Sequence, residues 1–142
     1  MHTTIGGTRV IGTQVVRVAA TGEPGRWVEL ELGLASLGGE RESVPLVVCQ
    51  VERRPLPRAC ETAIVSTLLA SLHDAGLDPV RAGLRFLVRG VRASSDLAPG
   101  GLAAAVRIAA SELLDELAPC EAWGWRRVAV PASERATDEV SV

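Results

Sequence analysis

Arg81, Arg85, Arg89 and Arg92 fall within twelve residues that contain no acid. A guanidinium presents a planar fork that bridges phosphate oxygens, so such a cluster suits a nucleic-acid backbone. Arg53, Arg54 and Arg58 form a second basic group. The competing reading is a solvated strand face whose charge is balanced by Glu29 and Glu31. Pro99-Gly100-Gly101 is a further candidate, because free N–H groups at a helix start could take up a phosphate. Other constellations point to structure. Glu29 and Glu31 alternate with leucine, as a wetted sheet face does, and do not read as a catalytic carboxylate pair. Cys60 lies near a predicted helix N-terminus, where a thiol pKa can fall, but its place on an apolar stripe reads as an inert core thiol. His73 sits in a last helical turn, where it complements the dipole, and His2 belongs to a fraying terminus. No His/Cys/Asp/Glu set has metal-ligand spacing, and no GxSxG occurs. The chain has no lysine, which excludes a GxxxxGK[ST] phosphate loop and a Schiff-base lysine. PGGLAAA is a poor version of the glycine loop of small-molecule kinases. We therefore expect no enzyme activity, no metal, no cofactor and no bound nucleotide.

The elements that would hold these residues follow from periodicity. Residues 9–19 are β-branched and read as a first strand, and TGEPG at 21–25 reads as a turn marked by Pro24-Gly25. In RWVELELGLAS, Val28, Leu30, Leu32 and Leu34 face one way while Trp27, Glu29 and Glu31 face the other. One face is wet, so the sheet is expected to be mainly antiparallel and covered on one side. Trp27 then lies on the open face, as a rim residue under a loop or as a stacking surface. Residues 37–43 read as a turn, and VPLVVCQV as a short third strand whose Pro45 points to an edge or a strand start. The prolines of ERRPLPR hold off a helix until about Arg58. Helix then runs from about Ala59 to Ala75, with Cys60, Ile64, Leu68 and Leu72 on one stripe and Gly76 as its C-cap.

Leu84, Phe86 and Val88 share one face of the next strand, with Arg85 and Arg89 on the other. A loop over 92–101 follows, and loops between a strand and a helix commonly display binding groups. Leu102, Val106, Ala109, Leu113 and Leu117 then mark an amphipathic helix. After a turn at APCEAWG, WRRVAVP reads as a last strand stopped by Pro131. The order gives five strands and two helices, an α+β two-layer sandwich with both helices on one face.

With 142 residues, 47% of them hydrophobic and 23% charged, the chain suits one globular domain with one core. The net charge of −2 argues against wholesale coating of nucleic acid and leaves a local basic patch open. Cys49, Cys60 and Cys120 show no CxxC spacing and fit a reduced, cytoplasmic setting. No signal-peptide pattern and no apolar run of membrane-spanning length occurs, so no membrane is expected as a partner. Residues 1–8 are expected to form a flexible N-terminus, 9–131 the domain, and 132–142 a disordered acidic tail.

The ordered set of elements resembles domain IV of elongation factor G and of the tetracycline-resistance ribosomal protection proteins. The helix AVRIAASELLDEL is similar to the family helix with its FKIAAS-like segment, and APCEAWGWRRVAVPASE matches the final strand with its Pro-Glu end. Upstream, EPGRWVELELGLASL falls where the family has a tip turn and an alternating strand. CQVERRPLPRACETAIVSTLLASLHDAGL falls where it has a proline-containing link into its first helix. The resemblance spans roughly residues 9–134. It implies a four-stranded, mainly antiparallel sheet of the ribosomal-protein domain-2-like type, with two helices on one face and a left-handed βαβ crossover. It also implies an arm whose two tip loops touch RNA of the small ribosomal subunit, here 21–26 and 92–101. With the basic patch, this marks Glu23, Arg26, Arg85, Arg89, Arg92, Ser94, Ser95 and Asp96 as RNA- or ribosome-binding residues. RASSDLAPGG lacks the histidine and tyrosine of the family's GSYHxVDSSE, and TGEPGR replaces its GGxGQ turn. No GTPase module is present. The chain is therefore expected to be either a piece of a larger factor or a free-standing relative of the domain, and the initiating methionine and acidic tail slightly favour the second. The expected function is thus a non-enzymatic module binding the ribosomal small subunit or structured RNA. The alternative is a stand-alone structural or interaction domain, a homo-oligomer through an open sheet face carrying Trp27 and Leu87.

Overall fold

A computed structural model describes residues 4–5, 8–36, 47–49, 56–77 and 84–131. Among these residues seven strands and two helices follow in chain order: β1 Thr4–Ile5, β2 Thr8–Ala20, β3 Glu23–Ser36, β4 Val47–Cys49, α1 Arg58–Asp74, β5 Leu84–Ala93, α2 Pro99–Leu113, β6 Glu121–Ala122 and β7 Trp125–Val128. They form one sheet in the order β4-β5-β3-β2-β7-β6, with β1 paired to the start of β2. All pairings are antiparallel except β4 with β5.

The protein is α+β, a two-layer sandwich. Five strands have three or more residues, so the resemblance's count of four is too low and the count from periodicity holds. The short β1 and β6 escape periodicity because two residues cannot show an alternation. β4 lies at the sheet edge, where Pro45 points. Thr4 and Ile5 pair with Arg9 and Thr8, so the sheet starts before Arg9. The expected turn at 37–43, Arg53, Arg54, Arg81 and the tail 132–142 lie outside the described residues.

The core is the helix-facing half of the alternation. Val16 and Val18 of β2, Val28, Leu30 and Leu32 of β3, and Phe86 and Val88 of β5 are fully buried. They pack against Ile64, Leu68 and Leu72 of α1 and Leu102, Val106 and Ile108 of α2. Leu117 breaks the expected stripe: α2 ends at Leu113, and Leu117 is 98% exposed. Gly101 sets how closely α2 approaches the sheet. A Cβ there would stand 2.9 Å from Val28 Cγ2 and 3.1 Å from the Trp125 ring.

The hand of β4-α1-β5 follows from chirality. Viewed from the helix side with β3 running upward, Val28 points at the viewer, and an L-residue so placed directs its own N–H and C=O to the right. The Trp27 carbonyl accepts from the Ser94 N–H, so the backbone of Trp27 faces β5 and that of Val28 faces β2. β2 is thus on the right, with β5 and then β4 on the left. Turned so that β4 and β5 run upward, the chain passes from β4 through α1 in front to β5 on its left. The crossover is left-handed, against the strong right-handed preference of such units.

Two turns differ from the sequence reading. The β2–β3 turn is Thr21-Gly22 alone, and Pro24, Gly25 and Arg26 already belong to β3. Ala19 pairs with Trp27 and Ala20 with Glu23, so those three residues bulge out of the ladder. β5 extends to Ala93, which shortens the loop expected over 92–101 to residues 94–98. Trp123 and Gly124 make a two-residue hairpin turn between β6 and β7 with φ of 51° and 81°. Positive φ at both positions is what such a turn requires.

Candidate functional site

The topology brings the turn after β2 and the loop before α2 to one end of the sheet. Ser94 joins them. Its N–H donates to the Trp27 carbonyl at 3.0 Å, and its Oγ accepts from the Trp27 N–H at 2.9 Å. The side chain thereby continues the ladder one step beyond β5. Arg26 Nη2 donates to Asp96 Oδ2 at 3.1 Å, and Ser95 Oγ donates to Asp96 Oδ1 at 3.1 Å. The Arg26 hydrogen bond, followed by a backbone bond and the Ser95 hydroxyl, holds the Asp96 carboxyl below the usual aspartate range. The Arg26 guanidinium also lies 5.4 Å from the Trp125 ring centroid. The Thr21 N–H and hydroxyl donate to the Gly124 carbonyl at 2.9 and 2.8 Å, which ties the β6–β7 turn to the same end.

Between these loops lies an open cleft of about 450 Å³ lined by Glu23, Gly25, Arg26, Ser94, Ser95 and Asp96. Five of the eight residues assigned from sequence meet there. The other three, Arg85, Arg89 and Arg92, line β5 on the open face of the sheet. Arg85 lies nine positions before Ser94, roughly 30 Å along a strand. The assigned set is therefore two regions.

The sheet region is a salt-bridged row. Arg17 contacts Glu29 Oε1 through Nε at 3.2 Å and Nη2 at 3.1 Å, and Arg92 Nη1 lies 3.5 Å from Glu29 Oε2. Arg17 is 5% and Glu29 7% exposed, although both stand on the face without helices. Trp27 provides the cover, with the Arg17 guanidinium 3.6 Å from its centroid and that of Arg92 5.7 Å away. Trp27 thus lies over the ion pair on the open face and serves as a stacking surface for the two guanidiniums. Arg89 Nε reaches Glu31 Oε2 at 3.6 Å. Leu87, expected as part of an apolar partner surface, is only 7% exposed.

Sequence reasoning missed Arg17, the member of the row that is most buried. Its signal was the opposite charge on Glu29, but matching them needs the β2–β3 register, which the bulge at 24–26 displaces. Cys60 matches its reading. It is buried, its thiol donates to the Leu97 carbonyl at 3.3 Å, and burial raises its pKa. No cluster of three or more metal-ligating side chains occurs among the described residues. No helix among them is long and apolar enough to cross a membrane. No family model, curated protein or solved structure matches this chain.

Proposed function

We propose that this chain is a non-enzymatic module that binds structured RNA, with small-subunit ribosomal RNA as the target that the resemblance to domain IV implies. The left-handed crossover carries the reading. It is the hand that the resemblance implies, and the antiparallel β3–β5 pairing brings the β2–β3 turn with its bulge and the 94–98 loop to one tip, the arrangement expected of an RNA-probing arm. At that tip Arg26 is oriented by Asp96, and its side chain remains about one third exposed. Below it Arg17 and Arg92 contact Glu29, and Arg89 contacts Glu31, on the open face. Arg89 and Arg92 are half-exposed and hold their glutamates at 3.5–3.6 Å. Phosphate oxygens can compete for guanidiniums held that loosely.

Binding to a small-subunit RNA fragment, measured by filter retention across a potassium chloride series, tests this. Arg89→Ala with Arg92→Ala should weaken binding and flatten the log K against log salt slope by about 1–2. Arg26→Ala should weaken it further. Binding that does not change with salt, or none at low salt, overturns the reading.

A further inference from the structure

The two helices run parallel. Their N-terminal ends meet where Cys60 bonds the Leu97 carbonyl. Towards their C-terminal ends, Arg107 Nη1 pairs with Asp74 Oδ2 at 3.5 Å. There the helices leave a cleft of about 140 Å³, lined among others by Asp74, Arg107, Ser111, Leu114, Glu116 and Leu117. It shares no residue with the tip cleft. Leu117 stands 98% and Trp123 63% exposed, and Arg107 links them, since its guanidinium lies 5.7 Å from the Trp123 centroid. Leu117 on the cleft wall, with Trp123 reached through Arg107, gives the cleft an exposed apolar margin of the kind an interaction surface presents.

Charge selects the partner. Among the described lining residues Arg107 and Asp74 pair with each other, which leaves Glu116 as the unbalanced charge, and Arg107 is also engaged by Trp123. Each helix C-terminus adds a partial negative charge of roughly half a unit, and parallel helices present both ends together. The cleft therefore favours a cation next to apolar anchors and disfavours a phosphate backbone. We infer that this surface docks a basic, apolar-anchored peptide segment of a partner protein. A lysine or arginine of that segment enters the cleft, and neighbouring aliphatic side chains cover Leu117 and Trp123.

Fluorescence polarisation with a labelled synthetic peptide of alternating lysine and leucine, and its glutamate–leucine counterpart, tests the inference on the full chain. The lysine peptide should bind and the glutamate peptide should not. Leu117→Ser with Trp123→Asn should weaken binding at least about tenfold. Leu117 is exposed, and asparagine tolerates the positive φ at 123, so this variant should fold. Glu116→Lys, a single exposed charge reversal, should cause a comparable loss and serves alone if the double variant melts early. Arg26→Ala should leave peptide binding unchanged, which separates this surface from the tip. No binding, equal binding of both peptides, full affinity in the Leu117 and Glu116 variants, or a loss on Arg26→Ala would each overturn the inference.

Discussion

Two arginine–carboxylate pairs in this protein have the same separation and opposite consequences. Arg17–Glu29 on the sheet and Arg26–Asp96 at the tip both close at 3.1 Å. The first is almost wholly buried beneath Trp27 and Arg92, and water cannot replace either partner. The second is open, with side chains 37% and 65% exposed, and both partners can exchange their hydrogen bonds for solvent or a ligand. A pair's role is decided by what happens when one partner leaves. Removing a buried partner strands a charge in low dielectric, whereas removing an exposed one returns its mate to water. The sheet pair is therefore architecture. The tip pair is a latch that orients Arg26 and leaves it available.

The largest expected effect breaks the sheet side of this contrast. Glu29→Met removes the buried carboxylate that Arg17 contacts and should destabilise the protein in urea unfolding by up to about 3–5 kcal/mol. Arg17→Met with Glu29→Met should recover most of that loss, because the stranded charge is gone. If the single and double variants are equally destabilised, the cost comes from packing against Trp27 and not from charge.

Beneath the tip, Gly101→Ala should destabilise by about 1–2 kcal/mol. Crowding against Val28 and Trp125 outweighs the roughly 1 kcal/mol gained in helix propensity. Gly100→Ala is the control. Its Cβ would stand 3.4 Å from Trp125 Nε1, an ordinary contact, so it should be neutral or stabilising. Thermal melts of the two variants side by side give the answer.

The smallest effect belongs to Asp96. Its folded-state pKa is lowered, so its contribution is present above the unfolded value and is lost as pH falls through the folded one. The latch should hold throughout neutral and mildly acidic pH and open only below the ordinary carboxylate range. A carboxyl NMR titration of Asp96 should show this depression, and Arg26→Ala should return the midpoint toward the usual aspartate value. A midpoint that does not move in Arg26→Ala would mean that the backbone bond and Ser95 hold the carboxylate, leaving Arg26 unlatched.

Much of the fold could be read from residue order, and the reasons are local. Alternation through Val28, Leu30, Leu32 and Leu34 needs no partner strand to be recognised, and the prolines before Arg58 stop a helix on their own account. Of the candidate site, Arg26 and the 94–96 loop were legible through a turn cluster and a resemblance. Their junction with each other was not, because Ser94 meets Trp27 only through a pairing between residues 67 positions apart. Trp123 and Leu117 read as turn and core, since nothing local says that α2 stops at Leu113.

What the sequence by itself determined is the inventory: α+β class, the two faces of β3 and β5, an arginine-only basic complement, and a buried Cys60. Those properties depend on a residue and its near neighbours. Only the tertiary structure decided the left-handed crossover, the bulge at 24–26 that sets the register, and which arginine each carboxylate holds. These depend on which strands lie side by side, and one residue of slip exchanges every partner and face. Arg17 and Arg26 are alike as letters. Burial makes one a structural strut and the other a hand held out to solvent.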